Sequence, residues 1–436
     1  MKKFMILALA LVATFMFVVP AMAVDVDFSG HYRLRGFYED QVELDEDAGE
    51  ADARFDHRFR IRPVFTITDN IKLTTRFDGH DNRTWGTTTG PTDEDFGLER
   101  LYADINFDTV SLRVGRMFAG ACGITYCNNE TDADRIKVIL NDVDPYYLDF
   151  TYTKKVEDDY YNDTSDQDYD QYHLHGFYTS ETMRAGLLFG FLNDKTNSAT
   201  GNAAGFDRAV WHINPYAEGT SGPISYLAEM EWMTGDYTDY SNSADGEDMD
   251  MDTMRWILDV AFNAGPGSVG AGWAHSGGQE WDEDDRTRAD GGGNDWQPFL
   301  ILTHFSANTN LGGVGNLNSW RNDTAIRDGS GDTWTVGDLG FDIYYLYGNY
   351  QAMEKLTLSA ILGWAYADTT DVTEAAEDAD LDDQLGWELD LTAKYQVMDN
   401  LAYDIKFGYF NPGDFYDDID LDDKTWSVMH SLVVTF

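Results

Sequence analysis

The sequence predicts an all-β chain: a transmembrane, antiparallel, up-and-down β-barrel of about 18 strands, with short turns at one end and long loops at the other. Three observations predict it. Strand-like runs alternate polar and apolar residues along the whole chain. The gaps between those runs are short and long in turn. The composition favours strands and turns, with 40 glycines, 25 tyrosines, 25 phenylalanines and 12 tryptophans in 436 residues.

The elements follow in order. Residues 1–23, "MKKFMILALALVATFMFVVPAMA", have a basic head, an apolar run and Ala21-Met22-Ala23 before Val24. That pattern is a secretory signal peptide, so the barrel domain is expected over 24–436. Loss of Lys2 and Lys3 with the signal takes the formal charge from −48 to −50. No later segment has the unbroken apolar run of a spanning helix. A mean hydropathy of −0.43 does not conflict with a membrane barrel, where only alternate residues of each strand meet lipid.

Strands are expected near 24–38, 53–68, 71–80, 97–107, 110–118, 133–142, 145–155, 168–180, 181–193, 205–218, 222–235, 250–263, 267–278, 335–351, 355–368, 381–396, 400–413 and 424–436. Short gaps such as Thr68-Asp69-Asn70 and Met398-Asp399-Asn400 alternate with long, acidic ones such as 156–168 and 236–250. The short turns and both termini belong in the periplasm and the long loops outside. A sandwich would not segregate its connections this way, and a propeller would show a repeat of roughly 40–50 residues.

The stretch 54–67, "RFDHRFRIRPVFTI", fixes the faces. Phe59, Ile61, Phe65 and Ile67 alternate with Arg58, Arg60 and Arg62. In a barrel surrounded by lipid the apolar set points out and the arginines point into the lumen. An arginine aimed at the bilayer midplane would cost about 2–4 kcal/mol. The same alternation sends Arg33, Arg35, Lys72, Arg76, Arg100, Arg113, Arg135 and Lys137 inward, so the first third of the wall is basic. Further on it sends Glu229, Glu231, Asp259, Asp342, Glu388, Asp390 and Asp404 inward. A basic arc facing an acidic one sets a transverse field that favours polar, dipolar solutes. Cross-strand pairing that stiffens the wall is the alternative role.

The two cysteines, Cys122 and Cys127 in "GACGITYC", are expected to form a disulfide in an oxidising compartment. His173 and His175 share one strand face but have no third ligand fixed by the sequence, so lumen lining is expected and no metal or cofactor. No nucleophile cluster, phosphate loop or zinc-protease helix is present in the sequence, which argues against an enzyme. The charge of −50 argues against nucleic acid as a partner. The gap 279–334 is too long for a simple connection and contains the apolar "WQPFLILTHF" (296–305). That segment is expected to fold into the barrel and narrow it, the alternative being an extra hairpin strand.

The ending "KTWSVMHSLVVTF" puts Trp426, Val428, Leu432, Val434 and Phe436 on one face and stops on the aromatic. It resembles the C-terminal signal of Gram-negative outer-membrane proteins, which implies the barrel-assembly machinery as a partner and Phe436 as the assembly residue. "LERLYADINFDTVSLRVGRMFAG" resembles a porin element, with Arg113, Gly115 and Arg116 carrying the likeness. The nearest likeness suggested is to alginate-export-type barrels, although Met117 stands where their glutamine is usual. The resemblance implies an outer-membrane channel for small polar, anionic solutes. Alternatives are an export channel for an acidic polysaccharide, or a structural or adhesive barrel. The lipid bilayer, lipopolysaccharide and divalent cations at the acidic loops complete the expected partners.

Overall fold

The computed structural model describes residues 24–40, 44, 51–86, 96–118, 123–127, 131–157, 167–198, 205–240, 248–280, 282–289, 296–303, 325–327, 333–335, 339–371, 381–418 and 423–436. The expected signal peptide and Cys122 lie outside these residues.

The chain runs through β1 (Asp25–Asp40), β2 (Asp52–Thr68), β3 (Ile71–Thr84), β4 (Phe96–Asn106), β5 (Val110–Phe118), β6 (Asp132–Leu140), β7 (Tyr146–Val156), β8 (Tyr169–Thr179), β9 (Met183–Asp194) and β10 (Phe206–Ser221). It continues through β11 (Ile224–Tyr240), β12 (Met249–Ala264), β13 (Gly267–Ser276), the short β14 (Ala325–Arg327) and β15 (Thr333–Thr335), β16 (Phe341–Met353), β17 (Leu356–Tyr366), β18 (Gln384–Met398), β19 (Leu401–Pro412) and β20 (Thr425–Thr435). One helical turn, α1 (Asp414–Asp417), precedes β20.

Strands β1–β13 and β16–β20 form one 18-stranded sheet in which each pairs with its neighbours in sequence, always antiparallel. β1 pairs with both β2 and β20, so the sheet closes on itself and leaves no edge. These strands match the runs read from the sequence to within a few residues. The largest discrepancy is the start of β16, expected at 335 and found at Phe341. β14 and β15 pair only with each other, and β13 pairs directly with β16, so the long gap adds no strand to the wall.

Register fixes the faces. Arg33 pairs with Arg58 and Tyr32 with Phe59, so the odd positions of β1 share a face with the even positions of β2. Phe28, Leu346, Val269 and Met353 are among the many large apolar residues exposed on the outer surface. In water such a belt would aggregate; around a barrel it is the lipid-facing band. Aromatic pairs such as Tyr38 stacked on Trp426, with ring centroids 4.9 Å apart, mark its loop-side margin.

The apolar core sits inside the barrel. Trp296, Phe299, Ile301 and Leu302 from the long connection pack against Ile343, Tyr345, Ala365 and Phe410 on the inner faces of β16, β17 and β19. The apolar segment therefore enters the lumen, as its burial requires.

The chain terminus completes closure. Gly30 N–H donates to the Phe436 carbonyl at 2.9 Å, and Phe436 N–H donates to the Gly30 carbonyl at 3.1 Å. The Phe436 ring stacks on Phe59 on the lipid face.

Candidate functional site

The lumen is built from alternate residues of every strand, and its basic arc runs over β1–β6. Register places Arg33, Arg35, Arg58, Arg60, Arg62, Lys72, Arg76, Arg100, Arg113, Arg135 and Lys137 on the inner face. Arg62 and Lys72 lie toward the short-turn end and are exposed there. Much of the arc is internally paired. Arg35 bonds Asp56 through Nε at 2.9 Å and Nη2 at 2.6 Å, a two-pronged pair. Arg60 and Arg76 share Asp78, Arg76 and Arg100 share Asp132, and Arg113 meets Asp104. Arg58 meets Asp81, and Lys137 meets Asp149 at 3.5 Å.

Among the described residues these six carboxylates engage seven of the eleven cations, and the others show where positive charge meets neutral partners. Three guanidinium groups, from Arg33, Arg35 and Arg58, converge on a single neutral acceptor, the Asn82 side-chain oxygen. Asn82 sits where the β2–β3 register shifts, and its positive φ of 55° turns its side chain toward all three. Arg135 bonds to Thr153 Oγ1 and to backbone carbonyls. Sequence reading missed Asn82 because a bulge breaks the alternation it relied on.

The acidic residues have different roles. Glu229 and Glu231 of β11, with Asp259 of β12, stand half-way round the ring from β2 and β3. Glu229 receives the N–H groups of Ile124 at 2.9 Å, Thr125 at 3.2 Å and Tyr126 at 2.8 Å. Segment 123–127, from the β5–β6 connection, is thereby drawn across the lumen. Glu231 is engaged by Arg255 and His212, neither of which the sequence reading had singled out. Asp259 accepts the hydroxyls of Tyr345 at 2.9 Å and Tyr347 at 2.7 Å.

Glu388 and Asp390 of β18 repeat the device. Ile301 and Leu302 donate their N–H groups to Glu388 and Leu300 donates to Asp390, each at 2.7 Å. Asp404 accepts from Ser431 at 2.7 Å. Two loop segments are held by carboxylates in the wall, and they touch each other: the Tyr126 and Trp296 rings meet edge to face at 5.0 Å. The Tyr126 hydroxyl also donates to the His275 carbonyl at 2.6 Å. Burial pushes that hydroxyl's pKa well above its ordinary value, so it stays a neutral donor. Beneath segment 296–303 a cavity of about 300 Å³ opens, lined by Asp259, Tyr345, Asp390 and Lys406 among others.

Asp342 requires a correction. Register pairs it with His275, and its carboxylate accepts the Trp273 indole N–H at 2.6 Å. Its neighbours Tyr344 and Leu346 are exposed on the outer surface, whereas Ile343 and Tyr345 are buried inside. Asp342 therefore lies on the outer face at the loop-side rim. The inner face of β16 is apolar because the entering loop covers it, so polarity no longer marks the lumen there.

His173 and His175 face inward. His175 bonds the Tyr216 hydroxyl at 2.8 Å, and the His173 ring meets that of His212. Cys127 is buried; its expected partner Cys122 lies outside the described residues.

No protein-family model and no curated protein sequence matches the chain. Solved structures of Pseudomonas aeruginosa do. OpdQ aligns with a TM-score of 0.55 at 12% identity, over 94% of this chain and 98% of that one. OccK8 (OprE) aligns at 0.53 and 13%, over 94% and 98%. OpdK, solved with vanillate, aligns at 0.51 and 11%, over 94% and 99%. At these identities the likeness is one of fold. It is a likeness to closed β-barrels, the architecture that the strand pairing gives this chain.

Proposed function

We propose that the chain is an outer-membrane porin through which small polar solutes diffuse, with the basic arc of β1–β6 favouring those that carry a carboxylate. The observation that carries this reading is the convergence of Arg33, Arg35 and Arg58 on the Asn82 amide oxygen. Arg35 and Arg58 also meet Asp56 and Asp81, so a carboxylate solute offers its charged oxygens first to Arg33, whose side-chain partner is the neutral Asn82 oxygen. OpdK, similar in fold, was solved with vanillate, an aromatic carboxylate, which fits the same chemistry.

Export of an acidic polysaccharide, as in alginate-export barrels, is not favoured. Two loop segments, 123–127 and 296–303, are held inside the lumen and narrow it, which suits small solutes better than an extended chain. The test is planar-bilayer recording of the folded protein in a salt gradient, with Arg33→Gln beside the wild type. The substitution should move the reversal potential toward cations. It should also slow liposome uptake of vanillate more than that of a neutral solute of equal size. Equal effects on both solutes, with an unmoved reversal potential, would reduce the arginines to wall structure.

A further inference from the structure

Outside the lumen, at the loop-side rim, three metal-ligating side chains from three segments meet. His275 lies near the end of β13, Asp342 near the start of β16, and Asp368 just past β17. His275 Nδ1 is 3.2 Å from an Asp342 carboxylate oxygen and 3.8 Å from one of Asp368. One ligand atom from each residue can be chosen so that all three lie within 4.8 Å of one another.

From this geometry we infer that His275, Asp342 and Asp368 bind one divalent transition-metal ion of the zinc class. Bonds of about 2.0–2.1 Å to a tetrahedral zinc leave neighbouring ligand atoms roughly 3.3 Å apart, close to the 3.2 Å between His275 and Asp342 and about half an ångström less than the 3.8 Å to Asp368. One neutral imidazole and two carboxylates match a charge of two. They leave a fourth position for water or a lipid phosphate oxygen. Calcium and magnesium prefer shells of six or more oxygens, so the imidazole selects zinc, copper or nickel instead.

Each ligand is also held by a neighbouring group. The Trp273 N–H donates to Asp342 Oδ1, the oxygen that faces His275, at 2.6 Å, and the Gly278 N–H donates to the other oxygen of Asp368 at 2.8 Å. The Trp256 ring stacks on His275 with centroids 3.8 Å apart and planes 20° apart. Donors behind carboxylate ligands orient them and tune affinity. Asp368 is exposed, so an ion can reach the site from water. The ion would tie the ends of β13, β16 and β17, and with them both ends of the connection that enters the barrel. The competing arrangement, a hydrogen bond from His275 Nδ1–H to the Asp342 carboxylate, requires no metal.

The test uses the full mature chain, folded in detergent and carrying no histidine tag. Equilibrium dialysis against zinc chloride gives the stoichiometry, and the fall in the chain's tryptophan fluorescence on adding nickel reports occupancy beside Trp256. Wild type should bind one zinc per chain, with no competition from equal concentrations of calcium or magnesium. Asp368→Asn removes a ligand from an exposed position and should weaken binding at least about tenfold. Trp273→Phe keeps all three ligands and removes one supporting N–H, and should weaken it by about 10–100-fold. Heat-modifiable migration on gels checks that each variant is folded. No zinc on the wild type, or unchanged affinity in both variants, would overturn the inference.

Discussion

Glu388 in the barrel wall accepts the backbone N–H of Leu302 at 2.7 Å, joining residues 86 positions apart. Its other oxygen accepts Ile301, and Asp390 accepts Leu300. Three consecutive backbone donors that would otherwise be stranded among apolar side chains are satisfied by two carboxylates two residues apart on one strand face. The loop is thus held by its backbone, while Phe299, Ile301 and Leu302 supply apolar contact.

Glu388→Met with Asp390→Val removes all three acceptor oxygens and should release segment 296–303 from the wall. Each buried N–H left without an acceptor costs about 1–3 kcal/mol, so losing three favours the detached loop strongly. The expected outcome is a larger single-channel conductance with more frequent closures, read in planar bilayers at high salt. A conductance equal to that of the wild type would mean that the apolar contacts alone hold the loop.

Tyr126→Phe tests the second inward segment without touching charge. It removes the hydroxyl that bonds the His275 carbonyl, one hydrogen bond in a buried place. The cost is about 0.5–1.5 kcal/mol. The unfolding midpoint in urea should fall, while the reversal potential should not move. A shift in selectivity would show that segment 123–127 contacts permeating ions directly.

The barrel was legible in the sequence because alternation and loop length survive without tertiary contacts. Arg58, Arg60 and Arg62 alternating with Phe59 and Ile61 declare two faces, and lipid decides which is outside. The rule failed at Asp342, where the inner neighbours Phe341 and Ile343 are apolar because a distant loop covers them. The loop anchors were half legible. Glu229, Glu388 and Asp390 were read as inward, but what they hold depends on backbone N–H groups that no side-chain pattern reveals. Asn82 was hidden by a bulge, and the meeting of His275 with Asp368 by the separation of β13 from the end of β17.

Gly30 and Phe436 should matter together for assembly. A Cβ at Gly30 would lie 2.7 Å from the Phe436 ring and would overlap the Arg60 carbonyl, which belongs to the β1–β2 ladder and cannot move aside. Gly30→Val should therefore lower the yield of heat-modifiable barrel, as should deletion of Phe436, which loses the paired backbone bonds and the stack on Phe59. Conductance of the molecules that do assemble should be unchanged. Wild-type yields of both variants, measured in membranes, would remove the seam from the account of closure.

Asn82→Asp is the sharpest probe of the lumen. The substitution is nearly isosteric, and it places a carboxylate where three guanidinium groups now share one neutral oxygen. Each of those bonds becomes charge-assisted, so the barrel should unfold at higher urea. The leftover positive charge of Arg33 is then met from within the wall, as Asp56 already meets that of Arg35. Permeating anions lose their partner. At 0.1 M salt, where charges are screened over about 10 Å, the acidic outer loops act only weakly on ions deep in the lumen. The reversal potential in a salt gradient should therefore shift toward cations, and uptake of vanillate into liposomes should fall while a neutral solute of similar size is unaffected. Greater stability with unchanged vanillate uptake would separate the two roles, leaving the arginine cluster as a brace for β1–β3 and moving the search for a solute contact to Arg135.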